Sequence, residues 1–373
     1  MNRIQTVLVD DPEALSAALE PLASLDHVAI DTEFMRERTY YPQLCLIQVA
    51  NAAGCVLIDP LAVAQLDPLR TLIGDRRRMK VLHAARQDLE VLGLSLGFVP
   101  GPIFDTQIAA GLLGMPAQIG YGELVRRQLG SELVKGHART DWMRRPLSAE
   151  QLQYAADDVR YLVPLHAELC RRLEAQGRLH WLFEDTLRLE DPELYAVAPQ
   201  EAWRRLKGLD RLRPEQRAAA RALAGWRETL ARKSDRPRGW ILSDEALRAL
   251  AESLPQSRAS LDGIPSLPPA MVRKRGDELL ELLATAVRET PEGDVTRVMG
   301  RPAPAQVAKV AELMRLVRSA AERLDISPEL LATRRDVERL VYSGDPGSLS
   351  RGWRAGAIGG ELLAAAGPRA EDD

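Results

Sequence analysis

The sequence predicts an α/β or α+β domain with a mixed sheet, followed by two small all-helical domains. Three observations carry this. Up to about residue 190, strand-like and helix-like runs alternate. Two early strand-like runs are joined only by Asn51-Ala52-Ala53-Gly54, a hairpin-type connection that favours antiparallel neighbours. Beyond Asp191 no convincing strand remains and helical periodicity takes over.

Taken in order, Val28 and Ile30 alternate with smaller or polar residues, so 27–34 reads as a strand. Strands at 44–50 and 55–59 complete a meander. An apolar run at 79–84 precedes a helix-like stretch from Arg86 to Leu96. Asp105-Thr106 reads as the N-cap region of a helix that runs through Leu113. A long helix opens at Ser148, with Gln151 at capping-box spacing, and reaches about Ala175 with a kink at Pro164. Helical patterning covers 200–285, broken by loops at 234–240 and 255–269. A last helical segment, 303–365, is set off by Pro291-Glu292-Gly293 and Pro302-Ala303-Pro304. The expected domains are 1–192, 203–288 and 296–368, and the terminus from Arg369 to Asp373 reads as frayed.

The totals bound the function. With 373 residues, 46% hydrophobic and 28% charged, the chain has ample material for cores. A net charge of −3 excludes a uniformly basic nucleic-acid binder, but 201–250 holds 13 Lys/Arg against 7 Asp/Glu. The three cysteines Cys45, Cys55 and Cys170 form no Cys-x-x-Cys pair and signal neither a zinc site nor a disulfide framework; they read as core fillers. No signal-peptide pattern opens the chain and no run of 18 apolar residues occurs, so a cytoplasmic protein without a membrane span is expected.

The chemistry centres on Asp31-Thr32-Glu33. Side chains at i and i+2 of a strand share a face, so two carboxylates stand side by side. Such a pair repels, and either a proton or a hard divalent cation must relieve it. An isolated Asp-x-Glu is most often a solvated strand end. Here it has company. Asp88 falls in the first turn of the helix after the 79–84 run, where the helix dipole alone would also favour it. Tyr154 and Asp158 lie at i and i+4, on one helix face, and Asp158 borders the core stripe of Leu152, Ala155, Val159, Leu162 and His166. Spacing alone does not separate Asp158 from Asp157, which is i+3 from the tyrosine.

Together these runs resemble the DEDD superfamily of 3′–5′ exonucleases, in the variant with tyrosine in the last motif, and more closely the ribonuclease D family. The resemblance rests on Ile30-Asp31-Thr32-Glu33-Phe34, Arg38-Thr39-Tyr40-Tyr41-Pro42-Gln43-Leu44, Leu46-Ile47-Gln48, Leu57-Ile58-Asp59-Pro60 and Leu82-His83-Ala84 with Asp88-Leu89-Glu90. It extends through Asp105-Thr106-Gln107, Arg139-Thr140-Asp141-Trp142, Arg145-Pro146-Leu147 and Tyr154-Ala155-Ala156 with Asp158. The family's Tyr-x-x-x-Asp pattern selects Asp158 over Asp157. The remainder, about 205–285, resembles the HRDC module, a helical nucleic-acid-binding domain, through Leu223-Ala224-Gly225-Trp226-Arg227-Glu228 and Asp235-Arg236-Pro237-Arg238. The last helical domain is similar to a second, diverged copy.

The resemblance implies an RNase H-like exonuclease domain with a mixed five-stranded sheet. It also implies two divalent ions, Mg²⁺ or Mn²⁺, and release of 5′-mononucleotides from RNA 3′ ends. Asp31, Glu33, Asp88 and Asp158 would be metal ligands, and Tyr154 would orient the attacking water. The expected partners are RNAs, namely tRNA precursors and small structured RNAs with 3′ extensions, and the expected state is a monomer. Candidate substrate contacts are Gln43, His83, Lys135, Arg139, Trp142, Arg145, Arg232, Lys233 and Arg238, with His137 beside them. Each has a plainer alternative: a packed histidine, a strand amide, a loop with a buried tryptophan, a solvated helix face. DNA as substrate is the nearest rival, since the catalytic motifs act on phosphate alike in both. An inactive RNA-binding scaffold is the rival of another class. A helicase is excluded by the lack of a Gly-x-x-x-x-Gly-Lys-Ser/Thr motif.

Overall fold

The computed structural model describes residues 5–134, 136, 140–196, 198–290 and 302–367. The chain divides into two compact units. Of the described residues, the first holds those in 5–35, 44–195 and 302–367; the second holds those in 36–43 and 196–290.

A mixed sheet is the centre of the first unit. Its strands are β1 (Thr6–Val9), β2 (His27–Met35), β3 (Gln43–Asn51), β4 (Gly54–Ile58), β5 (Met79–Leu82) and β6 (Ile103–Asp105), in the order β1-β4-β3-β2-β5-β6. The sheet has six strands rather than the five expected. The unforeseen edge strand β1 pairs parallel with β4, in register from Thr6 opposite Cys55 to Val9 opposite Ile58. Only Val9 of β1 is buried, so the strand lacks the alternation that marks a half-buried strand. The opposite edge strand β6 spans Ile103–Asp105, too short for a periodic signal, and pairs parallel with β5. The β3–β4 hairpin closes antiparallel at Asn51 opposite Gly54, as the four-residue turn implied.

Among the described residues eight helices follow or flank these strands: α1 (Pro12–Leu19), α2 (Asp67–Gly74), α3 (Arg86–Leu96), α4 (Thr106–Leu112), α5 (Tyr121–Leu129), α6 (Ala149–Arg160), α7 (Leu162–Ala175) and α8 (Leu179–Leu187). The twofold period of the strands splits the core. Val28, Ile30, Ile47, Val49 and Ile58 pack with residues of α1, α2 and α3 on one face. Ala29, Leu46, Ala50, Leu57 and Val81 pack with residues of α4 to α8 on the other. Asp31 and Glu33 continue the row of Ala29, so they point to the face that α6 covers. The helix expected from Ser148 to about Ala175 is two helices that break at Tyr161. Pro164 stands in the first turn of α7, where its missing N–H costs no helical bond, so it starts a helix instead of kinking one.

The C-terminal helices α14 (Pro304–Leu324), α15 (Pro328–Leu331), α16 (Arg334–Ser343), α17 (Gly352–Arg354) and α18 (Gly360–Ala366) come after the helices of the second unit in the chain. Expected as a separate domain over 296–368, they instead share the core of the first unit through Val310, Leu313, Val317, Leu331 and Leu362. The Trp181 and Trp353 rings stack at 4.4 Å, and Arg354 pairs with the buried Asp185. The expected boundary near 296 lies outside the described residues.

The second unit is helical: α9 (Pro214–Ser234), α10 (Arg238–Ile241), α11 (Asp244–Ser253), α12 (Arg258–Asp262) and α13 (Pro269–Arg288), around Leu223, Leu247, Leu250, Leu261 and Leu279. It includes 36–43, the segment between β2 and β3 in the chain. There the Tyr40 and Tyr41 amides donate to Asp235 at 3.0 and 3.1 Å, and the Tyr40 hydroxyl donates to Glu228. Among the described residues no helix is long and apolar enough to cross a membrane.

Candidate active site

Asp31, Glu33 and Asp158 each offer a carboxylate oxygen, and these oxygens all lie within 4.8 Å of one another. β2 supplies the first two from one face; α6, packed on that face, supplies the third. Asp88 comes from the first turn of α3, is 8% exposed, and takes the Thr32 hydroxyl at 2.6 Å. Thr32, pointing away from its two acidic neighbours, thus ties β2 to α3. Asp157 turns from the cluster to Arg160 at 3.0 Å and Gln153 at 3.0 Å, which separates it from Asp158.

The electrostatics follow from crowding. Burial, then the Asp88, Asp158 and Glu33 charges, push Asp31 well above the usual carboxylate range. Burial, then Asp158 and Asp88, raise Glu33 to about 9. Burial likewise raises Asp158 to about 7 and Asp88 to about 6, the Tyr154 hydroxyl opposing it at Asp158 and the Thr32 hydroxyl at Asp88. The Tyr154 hydroxyl is itself held far above its ordinary value by burial and by Asp158, so it stays a donor. The donor set fits a hard divalent cation: oxygen ligands only, close enough to share an ion, with a mutual repulsion that the ion would cancel.

The remaining candidates separate sharply. His83 is spent on structure: Nδ1 meets the Thr106 hydroxyl at 2.9 Å and Nε2 the Ile119 carbonyl at 3.0 Å. Trp142 is 1% exposed and packs 6.2 Å from Tyr154, so it is core and not a platform for a base. Arg145 grips buried Asp59 with two nitrogens and gives its other bonds to the Cys45, Trp142 and Arg144 carbonyls. All five guanidinium donors are used, which leaves none for phosphate. Arg238 is committed to Glu228 and the Tyr40 ring, and Arg232 lies 6.0 Å over that ring. For His83, Trp142, Arg145 and Arg238 the physical reason is the same: the sequence shows a basic or aromatic residue but not the buried acid, carbonyl or ring already engaging it. Gln43 is exposed at the start of β3, and Lys233 and Trp240 are exposed on the second unit. Lys135, His137 and Arg139 lie outside the described residues. Asp105 caps α4 through Gln107 and also takes the Ala84 and Ala85 amides. Gln48 is a fully buried strand position, not a surface amide. Two residues near the site had no sequence signal: Thr32, hidden between the two acids, and Tyr121, whose hydroxyl reaches the Asp157 carbonyl at 3.0 Å.

Comparison with known proteins adds to this geometry. A family model described as a 3′–5′ exonuclease matches residues 6–174, and the HRDC domain model matches 216–283. Ribonuclease D of Pseudomonas paraeruginosa is 39% identical over 363 residues, covering 95% of this chain and 96% of that protein. Ribonuclease D of Acidiphilium cryptum is 37% identical, covering 98% and 94%. Among solved structures, Escherichia coli RNase D, described as an exoribonuclease involved in structured RNA processing, superposes with a TM-score of 0.87 at 33% identity, covering 97% and 98%. The catalytic core of RRP6 from Trypanosoma brucei gives a TM-score of 0.60 at 25% identity over 77% and 81%.

Proposed function

Since the chain belongs to the ribonuclease D family of 3′–5′ exonucleases, we propose that it trims the 3′ ends of tRNA precursors and other small structured RNAs, releasing 5′-mononucleotides. The observation that carries the hydrolytic reading is the trio of Asp31, Glu33 and Asp158, with oxygens within 4.8 Å, next to Tyr154 on the same helix. Asp31, Glu33, Asp88 and Asp158 would hold two divalent ions, Mg²⁺ or Mn²⁺, which when bound supply an activated water and charge neutralisation at the leaving 3′ oxygen. Asp31 and Glu33 present their carboxylates from one rigid strand, so their spacing is fixed before substrate arrives. Asp88 is oriented by Thr32. Tyr154, a firm hydrogen-bond donor-acceptor whose proton is hard to remove, orients the attacking water and is not the base. The HRDC unit would add further RNA contacts, since exposed Lys233 and Trp240 suit a phosphate and a base. One chain completes the carboxylate trio, so the chemistry would need no second copy, and a monomer is the proposed active form. RNA is favoured over DNA because the E. coli relative is described as acting in structured RNA processing.

The test is a gel time course on a 5′-labelled tRNA-like RNA with a short 3′ extension, in Mg²⁺ or Mn²⁺. Matched single-stranded DNA, EDTA and Asp31→Asn serve as controls. The expected result is a ladder that shortens from the RNA 3′ end, needs the ion and vanishes in the variant. Cleavage of DNA with RNA spared would move the substrate class. Undiminished activity of Asp31→Asn would remove the assigned site.

A further inference from the structure

We infer that Tyr121 is a positioning residue for the exonuclease site, setting the height of Asp158 by capping the broken end of its helix, with His83 as its brace. This rests on the metal-site reading of Asp31, Glu33 and Asp158.

α6 ends at Arg160, two residues after Asp158, and Tyr161 separates it from α7. The last four carbonyls of a helix lose their partners at such an end. Here the Tyr161 amide turns to the Val159 carbonyl, so the Asp157 carbonyl loses its usual donor. The Tyr121 hydroxyl replaces it, donating to Asp157 at 3.0 Å. The bond acts on the peptide that joins Asp157 to Asp158. It therefore restrains the backbone from which the Asp158 carboxylate reaches the cluster.

Tyr121 is itself anchored. It opens α5, and its ring packs against His83 at 5.5 Å between centroids. His83 and Gln107 converge on the Ile119 carbonyl, at 3.0 and 2.9 Å, and so fix the turn that delivers Tyr121. The Thr106 hydroxyl, 2.9 Å from His83 Nδ1 and 3.0 Å from the Leu82 carbonyl on β5, shares its one proton between the two. A continuous path of hydrogen bonds and ring contact thus runs from the sheet through His83 and Tyr121 to the peptide preceding Asp158. Groups that orient a metal ligand without touching the ion are worth about 10–100-fold in metal affinity or rate.

Tyr121→Phe removes one oxygen and keeps the ring. The readouts are Mn²⁺ binding, followed by the free-ion EPR signal without substrate, the melting temperature of the ion-free protein, and kcat and KM on the RNA above. Asp158→Asn and His83→Ala are compared alongside. The expected result for Tyr121→Phe is about a tenfold weaker Mn²⁺ affinity and a similar loss of kcat, with KM and melting temperature little changed. Because both residues act along one path, His83→Ala combined with Tyr121→Phe falls no further than the worse single variant. Unchanged Mn²⁺ affinity in Tyr121→Phe overturns the inference, whether or not kcat falls. So does a loss of affinity that merely follows a loss of melting temperature. If the wild-type protein binds Mn²⁺ no better than Asp158→Asn, the metal-site reading itself fails, which is a different and separable result.

Discussion

At the scale of single residues, the four acids are costly to the fold that holds them. Glu33 titrates near 9 in the folded chain, through burial and then the neighbouring Asp158 and Asp88, against the usual 4.5 once unfolded. Between those values the folded state binds the extra proton, so its stability is highest at low pH and falls as pH rises toward 9. Asp158, near 7, and Asp88, near 6, add the same sign over the lower part of that window. In EDTA, the melting temperature is therefore expected to drop from pH 6 to 9, and Glu33→Gln to flatten that drop; Mg²⁺ should restore it in the wild type alone. A calorimetric pH series checks this, and identical slopes for wild type and Glu33→Gln would contradict it. Arg145 makes a second case. Its partner Asp59 is 5% exposed, so Arg145→Ala strands a buried carboxylate. The expected cost is about 3 kcal/mol in denaturant unfolding, with KM for RNA unchanged. A raised KM at full stability would instead return Arg145 to the substrate.

At the scale of elements, the break between α6 and α7 shows how position changes the meaning of a residue. Pro164 inside one continuous helix would cost about 3 kcal/mol, and Pro164→Ala would recover it. In the first turn of α7 the proline sits where no intrahelical N–H is needed, so Pro164→Ala should change unfolding free energy by less than about 1 kcal/mol. The break has a functional side too. It frees the carbonyl end of α6 just after Asp158, and Tyr121 takes up one of the freed groups. β2 and β3 were legible because each is a sustained nine-residue run, β3 mostly apolar and buried and closed by a short turn. The edge strands β1 and β6 were not, because an exposed or three-residue strand has no period to read.

At the scale of the molecule, the division into two compact units does not follow chain order. The helices after residue 302 belong with the sheet, whereas 36–43, from the middle of the exonuclease sequence, belong with the helical unit. Leu313, Val317, Leu331 and Leu362 of the C-terminal helices join the same core as Leu46 and Val81 of the sheet. A chain cut after residue 290 would expose that face. It is expected to lose cooperative thermal unfolding and to aggregate, as read by near-UV circular dichroism and size-exclusion chromatography. A truncated chain that melts cooperatively and still shortens RNA would show that the C-terminal helices are an independent body.

The sequence alone determined the acids and where they sit. Asp31 and Glu33 share a face because a strand has period two, and Tyr154 and Asp158 share one because a helix repeats every 3.6 residues. Those periods are local, so they can be read from neighbours in the chain, and the matching runs then identify the family. Tertiary structure decided what each other polar residue is for. Arg145, Arg238, Trp142 and His83 look like substrate contacts in one dimension. Asp59, Glu228, the Tyr154 ring and the Ile119 carbonyl engage them from 10 to 86 positions away only once the chain has folded. Hydrogen bonds and burial depend on distance in space, and no local period encodes that distance. The same reason hid Thr32 and Tyr121, whose roles lie entirely in the groups that folding brings to them.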